Sequence, residues 1–311
     1  MSKLFNRSWK LIVDNLDVSA LSFEFKILRT LTAAPNTATI SVWNLNVDHR
    51  AQLLKRNQPN PGAQLVGIPV KLEAGYIDQV GTIFDGDLRQ VGSQRENVNW
   101  KTTLSGDDGG RAWREARINT GFQKGTTISA IVQQCAKALG LGLGNTSSET
   151  ASIEIPGLGK TISHSMTLSG SVAKNLDRVL SSVGLTWSIQ NLAIQVLPKG
   201  TPVQSESILL TPQTGLIESP QASIDSRVSL GDPQQFAPGA KTKTARPPKP
   251  KDPTILRLKT LLIPSLVPGQ RIELRTDQYN GGYYLTEVLY TGQSWAKDWY
   301  CECVCRQPHT T

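Results

Sequence analysis

Alternation at a period of two recurs through this chain and limits its fold more than any other feature. In "LSFEFKIL", Leu21, Phe23, Phe25 and Ile27 share one face, while Ser22, Glu24 and Lys26 share the other. "TATISVWN" alternates Ala38, Ile40 and Val42 with Thr39 and Ser41. "IPVKLEA" aligns Ile68, Val70, Leu72 and Ala74, and "VNWKTTL" aligns Val98, Trp100 and Leu104. Such repetition predicts half-buried antiparallel strands. With Gly, Pro, Asn and Asp between them, the strands imply a barrel or sandwich. A short helix near "DHRAQLLKRN", capped by Asp48, interrupts the series.

After Gly106 the period changes. "GTTISAIVQQCAKALGLGLG" spaces Ile128, Ile131, Val132, Cys135 and Leu139 as a helix, capped by Thr126 or Thr127 and ended by Gly140. A second helix carries Val172, Leu176, Val179, Leu180 and Val183 and closes at Gly184. "LTWSIQNLAIQVLPKG" reads as a hairpin turning near Gln190 and Asn191. The endings "ALGL" and "SVGL" echo each other only weakly. This middle part predicts an α/β lobe of about 95 residues.

The last third returns to strands. "QRIELRT" puts Ile272 and Leu274 on one face, and "YNGGYYLTEVLY" predicts a hairpin turning at Asn280 and Gly281. The chain then runs through "DWYCECVCRQ". Residues two apart in a strand share a face, so Trp299, Cys301, Cys303 and Cys305 line one side. Free cysteine packs as a small hydrophobe. Zinc sites draw on turn-like C-x-x-C spacings from two segments, and the fourth cysteine, Cys135, lies on a helix. Core packing is the expectation, with a metal or redox site and intermolecular pairing as alternatives.

Charge is concentrated. The net charge is +8, and Lys241, Lys243, Arg246, Lys249 and Lys251 stand without an acid in "KTKTARPPKPK". Most of the basic balance therefore belongs to one segment, which argues against a broad nucleic-acid groove. Pro247, Pro248 and Pro250 favour an extended backbone there. The segment reads either as a solvated linker or as an arm gripping an acidic partner or phosphate backbone. No apolar run is long enough to span a membrane. The N-terminus "MSKLFNRSWKLIVDN" lacks a signal-peptide pattern and reads as a cytoplasmic start.

Several motifs fall short of chemistry. "IEIPGLGKT" ends like a phosphate-binding loop, but the spacing puts Glu154 where the first glycine belongs. Asp85 and Asp87 share a strand face as a conceivable acid/base or divalent-ion pair, and Asp107 and Asp108 form a second acidic cluster. No third ligand is near either in sequence. Ser163-His164-Ser165 lacks a nucleophile elbow. The other histidines are His49 and His309. No catalytic residue, cofactor or metal is expected.

Four stretches, in order and spacing, resemble the baseplate hub proteins of tailed phages, the phage late-control or tail hub family. They are "GTIFDGDLRQV" with the segment from "WKTTLSGDDGG" to "CAKALGL"; "LSGSVAKNLDRVLSSVGLTWSIQNLAIQVLPKG"; "ILLTPQTGLIESPQ"; and "LLIPSLVPGQRIELR" with "NGGYYLTEVLYTGQSWAKDWYCECVCRQ". The stretch from Pro238 to Pro253 departs from the pattern. The resemblance implies a mainly β, α+β protein with two tail-tube-like β-barrel domains flanking a small α/β lobe. The first barrel is expected over 1–106, open to strands from 202–225. The lobe is expected over 107–200, and the second barrel, with its Pro/Lys-rich loop at 238–253, over 201–311.

The resemblance also implies structural work. Hubs of this kind are homotrimers whose paired barrels form a pseudo-sixfold ring. The ring joins the tail tube, or a distal tail protein, to the central spike and other baseplate proteins. It leaves a bore for DNA. The expected location is the virion tail baseplate, with assembly in the host cytoplasm. Two other readings stay open: a peptidoglycan-degrading hub using Asp85 or Asp87, and a host-surface sugar-binding module using Trp295, Tyr283 and Tyr284.

Overall fold

The computed structural model describes residues 6–58, 67–144, 155–200, 202, 206–223 and 255–308. The first stretch holds β1 (Arg7–Val13), β2 (Leu16–Asp17), β3 (Phe23–Thr30), β4 (Thr37–Trp43), α1 (Val47–Arg56), β5 (Ile68–Tyr76), β6 (Gln79–Glu96) and β7 (Asn99–Asp107). The middle holds α2 (Gly110–Glu115), β8 (Arg117–Phe122), α3 (Ile128–Leu139), β9 (Gly142–Leu143), β10 (Met166–Ser171), α4 (Val172–Ser182), β11 (Leu185–Gln190) and β12 (Ala193–Pro198). The last holds β13 (Ser207–Leu210), β14 (Leu216–Ser223), β15 (Ile255–Leu261), β16 (Arg271–Arg275), β17 (Asn280–Gln293) and β18 (Trp299–Arg306).

The mainly β class expected from the sequence is what forms. Its organisation differs from two self-closed barrels. Thirteen strands make one sheet, in the order β14-β15-β18-β17-β3-β4-β7-β6-β5-β1-β2, with β13 and β16 branching from β17. One half curls as β1-β5-β6-β7-β4-β3 and the other as β14-β15-β18-β17-β16-β13. Neither half closes its own backbone ladder among the described residues, because β17 joins them. One edge of β17 pairs with β18 from Tyr284 to Gly292. The other pairs with β16 from Asn280 to Tyr284 and with β3 from Glu287 to Gln293. A register shift between Leu285 and Glu287 marks the change of partner. A bulge bends a strand and increases its twist, which redirects the edge from one neighbour to the next.

Side chains fill the seam that no ladder closes. Trp9 meets Phe23 at 6.1 Å and Trp299 at 5.7 Å, and Phe25 meets Trp299 edge-on at 5.5 Å. The Trp299 indole donates to the Gly75 carbonyl at 3.2 Å. Arg7 donates to the carbonyls of Ala296 and Lys297, tying β1 to the loop after β17. Gly292 passes beneath these rings; a Cβ there would lie 2.4 Å from Phe25. The aromatic cluster belongs to a core that takes residues from Leu11 to Leu104 and from Leu210 to Cys305.

A second core, from Ile118 to Val196, packs α3 and α4 against β11 and β12. Thr127 and Gly140 cap α3 as expected, Gly140 at φ 68°. Ser171 caps α4. The β11–β12 turn falls on Asn191 and Leu192, both at positive φ (51° and 60°), the geometry that suits strand twist in a two-residue hairpin. Three local expectations are corrected. Asn46 caps α1, its side chain accepting from Asp48 N–H, because the helix starts two residues earlier than the charge pattern implied. The β16–β17 hairpin turns over 276–279, closed by Arg275 opposite Asn280, and the Thr276 hydroxyl donates to the Tyr279 carbonyl. Val98 and Trp100 leave the core face: β6 and β7 run on as a ribbon past their neighbours, so Val98 is 82% exposed while Leu104 is buried.

The lobe is clasped to the sheet by polar groups. Asn36, in the β3–β4 loop, donates to the Ile189 carbonyl at 2.7 Å and accepts from Thr30 N–H. Buried Asp108 accepts from the backbone N–H groups of Asn191 and Leu192, each at 2.6 Å. Gln190 accepts two hydrogen bonds from Arg29 and donates to the Thr30 carbonyl.

Truncating Trp299 to alanine should cost about 3–5 kcal/mol, since it empties a packed ring site. Trp295, 51% exposed and packed only edge-on against Trp43, should lose less than about 1.5 kcal/mol on the same change. Equal losses in denaturant titration would contradict the seam.

Candidate functional site

Of the residues proposed for chemistry, the structure brings the two acidic clusters together at Asp87 and Asp107. Asp85 and Asp87 do sit on a partly exposed face of β6, opposite Lys71 and Pro69. Asp87 also lies opposite Asp107 in the β6–β7 pair. Burial, then the neighbouring Asp107 charge, pushes the Asp87 carboxyl up, while Arg111 pulls it down. Asp107 is held by Arg114 at 2.8 Å. Asp108 is spent on the clasp; burial raises it, and the Leu192 and Asn191 N–H groups oppose that. Among the described residues no group of three or more His, Cys, Asp or Glu is placed to hold a metal ion.

The loop resembling a phosphate cradle performs another task. The carbonyls of Lys160 and Leu158 accept from the N–H groups of Ile128 and Ser129 at 2.9 and 3.0 Å. Thr127 Oγ1 takes the Ala130 N–H. The start of α3, where an anion would dock, is therefore filled by the chain's own oxygens. His164 contacts Ser163 at 2.9 Å on the surface. His49 rides on α1. His309 lies outside the described residues, as do Lys241, Lys243, Arg246, Lys249 and Lys251.

Cys301, Cys303 and Cys305 are buried on the face of β18 that also holds Trp299, and Tyr300, Glu302, Val304 and Arg306 face outward. All four cysteines are free and buried. Burial pushes Cys301 and Cys305 up to about 12 and Cys135 to about 11. These thiols are packing groups, without the thiolate character that redox or metal work needs. Tyr283 and Tyr284 are 5% and 6% exposed, so their rings are not free to stack on a sugar; Trp295 alone of that trio is presented.

The surface also carries a polar cleft. A cleft of about 780 Å³ opens between the end of β12, at Pro198 and Lys199, and the outward face of β15, β17 and β18. Its floor alternates charge across the strands: Glu218 pairs with Lys259 at 2.9 Å, and Lys259 stands opposite Glu302. Such a floor suits a polar protein segment better than a small apolar ligand. No helix among the described residues is long and apolar enough to cross a membrane. The clasp role of Asn36 and Gln190 has no sequence signal; Gln190 stands in the sequence as a hairpin-turn residue.

The buried thiols make a direct test. Ellman's reagent should find none of the 4 cysteines in native protein and all of them after unfolding. The unfolded chain loses its thiol protons first as pH passes about 8.5. Stability should therefore fall as pH rises from there toward 12. Rapid native labelling at pH 8 would refute the burial.

Comparisons with known proteins bear on the fold and the family. A comparison with curated protein sequences returned no significant match. Among solved structures, the 43 kDa tail protein of prophage MuSo2 from Shewanella oneidensis matches with a TM-score of 0.64 at 9% identity, covering 97% of each chain. A tail protein from Neisseria meningitidis MC58 matches with a TM-score of 0.62 at 13% identity, also over 97% of each chain. The E. coli c3393 protein, a component of the type VI secretion system, matches with a TM-score of 0.58 at 12% identity, over 97% of this chain and 77% of its own. At these identities the likeness is one of fold. The family Baseplate hub gp41 matches residues 11–224, more than two thirds of the chain. The chain belongs to the Baseplate hub gp41 family, phage baseplate proteins of structural role.

Proposed function

We propose that the chain is a ring-forming adaptor of the virion tail baseplate. It works as a homotrimer that joins the tail tube to the central spike and leaves a bore for DNA. The observation that carries this reading is the pair of six-stranded half-sheets fused through β17. Two half-sheets per copy would give three copies six wall segments, the number a sixfold tube needs, while three copies match a threefold spike. The lobe over 107–200 then decorates the outside, attached through the Asn36–Asp108 clasp. The subunits assemble in the host cytoplasm, and the particle carries them in its tail. The likeness of the c3393 protein to the T4 tail proteins gp27 and gp5 supports a place in such an assembly.

Mass measurement of the purified full chain, alone and with the spike protein, tests the reading. Three copies are expected, joined by the spike when it is present. The same preparation should release no glycan fragments from peptidoglycan. Turnover abolished by Asp85→Asn would instead favour the hydrolase.

The basic segment with Lys241, Lys243, Arg246, Lys249 and Lys251 is proposed as an arm for another baseplate protein. Deleting 241–251 should leave the fold and the ring intact and reduce the yield of infectious particles. Undiminished yield would remove the arm from the account.

A further inference from the structure

Strand β6 is 18 residues long, and an apolar tip stands exposed at each of its ends. At its start, Tyr76 pairs with Gln79, so Ile77 and Asp78 form a two-residue turn. Ile77 is 63% exposed and Val80 42%. At its far end, Glu96 pairs with Asn99, so Asn97 and Val98 form the turn. Val98 is 82% exposed and Trp100 39%.

Local backbone chemistry does not ask for these residues. The far turn needs positive φ at its first position, which Asn97 supplies at 54°. Its second position tolerates any polar residue, yet it carries a β-branched apolar one. The near turn likewise places isoleucine where polar residues normally sit. Neither tip joins either core.

At the far end Glu96 is already engaged by Lys101 at 3.8 Å and by Gln94, which leaves the cations to set the charge of the tip. Arg95 flanks Val98, and its Nε donates to the Asn97 carbonyl, which props the guanidinium at the tip. Arg50 stacks on Trp100 at 4.0 Å and adds a second cation. Asp78 is exposed beside Ile77. Two copies meeting far tip to far tip would set Arg95 against Arg95. Far tip against near turn sets Arg95 against Asp78, with apolar surface on both sides. Two different patches that complement each other on one molecule define a head-to-tail contact, the kind that builds rings.

We propose that the β6–β7 tip of one copy docks on the β5–β6 turn of a second copy. Val98 and Trp100 cover Ile77 and Val80, and Arg95 pairs with Asp78. This contact rests on the ring reading above and names its interface.

Charge exchange in the full chain tests it, with oligomer mass followed against concentration and thermal melting confirming the fold. Arg95→Asp and Asp78→Arg should each weaken association by roughly tenfold or more. The double exchange should restore it, and Val98→Asp should weaken it without rescue. If the unaltered chain forms the ring and the single exchanges leave it unchanged, the contact is wrong and the ring stands. Single exchanges that weaken association, with no recovery in the double, would overturn the pairing of Arg95 with Asp78. A chain that stays monomeric at every concentration would overturn the ring and this contact together.

Discussion

One strand serves two sheets. Each backbone N–H and C=O of a buried strand needs a partner, and β17 meets that demand with three neighbours on two edges. The skipped residue, Thr286, stays satisfied at the bend: its carbonyl accepts from Leu31 N–H, and its hydroxyl donates to the Val304 carbonyl. Without that bend the first and last thirds of the chain would be separate bodies. With it, one core extends through both, and the aromatic seam between β1 and β18 has a fixed frame to fill.

The lobe obeys a different logic. Its apolar core is its own, and the link to the sheet is a compact polar network around Asn36, Asp108 and Gln190. Buried polar networks specify geometry when fully satisfied and are costly when broken. Arg29 shows the cost: it is 2% exposed, and one of its terminal nitrogens has no hydrogen-bond partner. Hydrogen-bond direction thus helps fix the orientation of the lobe.

Much of this was legible in the sequence where a period and a cap coincide. The strands from Leu21 to Leu104 and the helices ended by Gly140 and Gly184 follow from alternation, 3.6-residue spacing and glycine at positive φ. The cysteine face of β18 followed from the same alternation. The β17 bulge did not, because nothing local announces which strand an edge will meet. Trp299 and Gly75 are 224 residues apart, and no periodicity links them. Val98 misled because alternation reports which face a residue occupies, not whether any neighbour covers that face. Among the candidate sites, the sequence identified the acids and the thiols but not their surroundings. Those surroundings turned Asp108 into a clasp and the cysteines into filler.

Two of the branched sheet's ends, at β2 and β14, are blunt. β2 is two residues long, and β14 combines Pro220 with two register shifts against β15. Proline and bulges deny an incoming strand a regular row of donors and acceptors. An open pleated border would let further copies add strands and template runaway fibres. Blunt borders refuse that addition, so these two margins do not seed fibre growth.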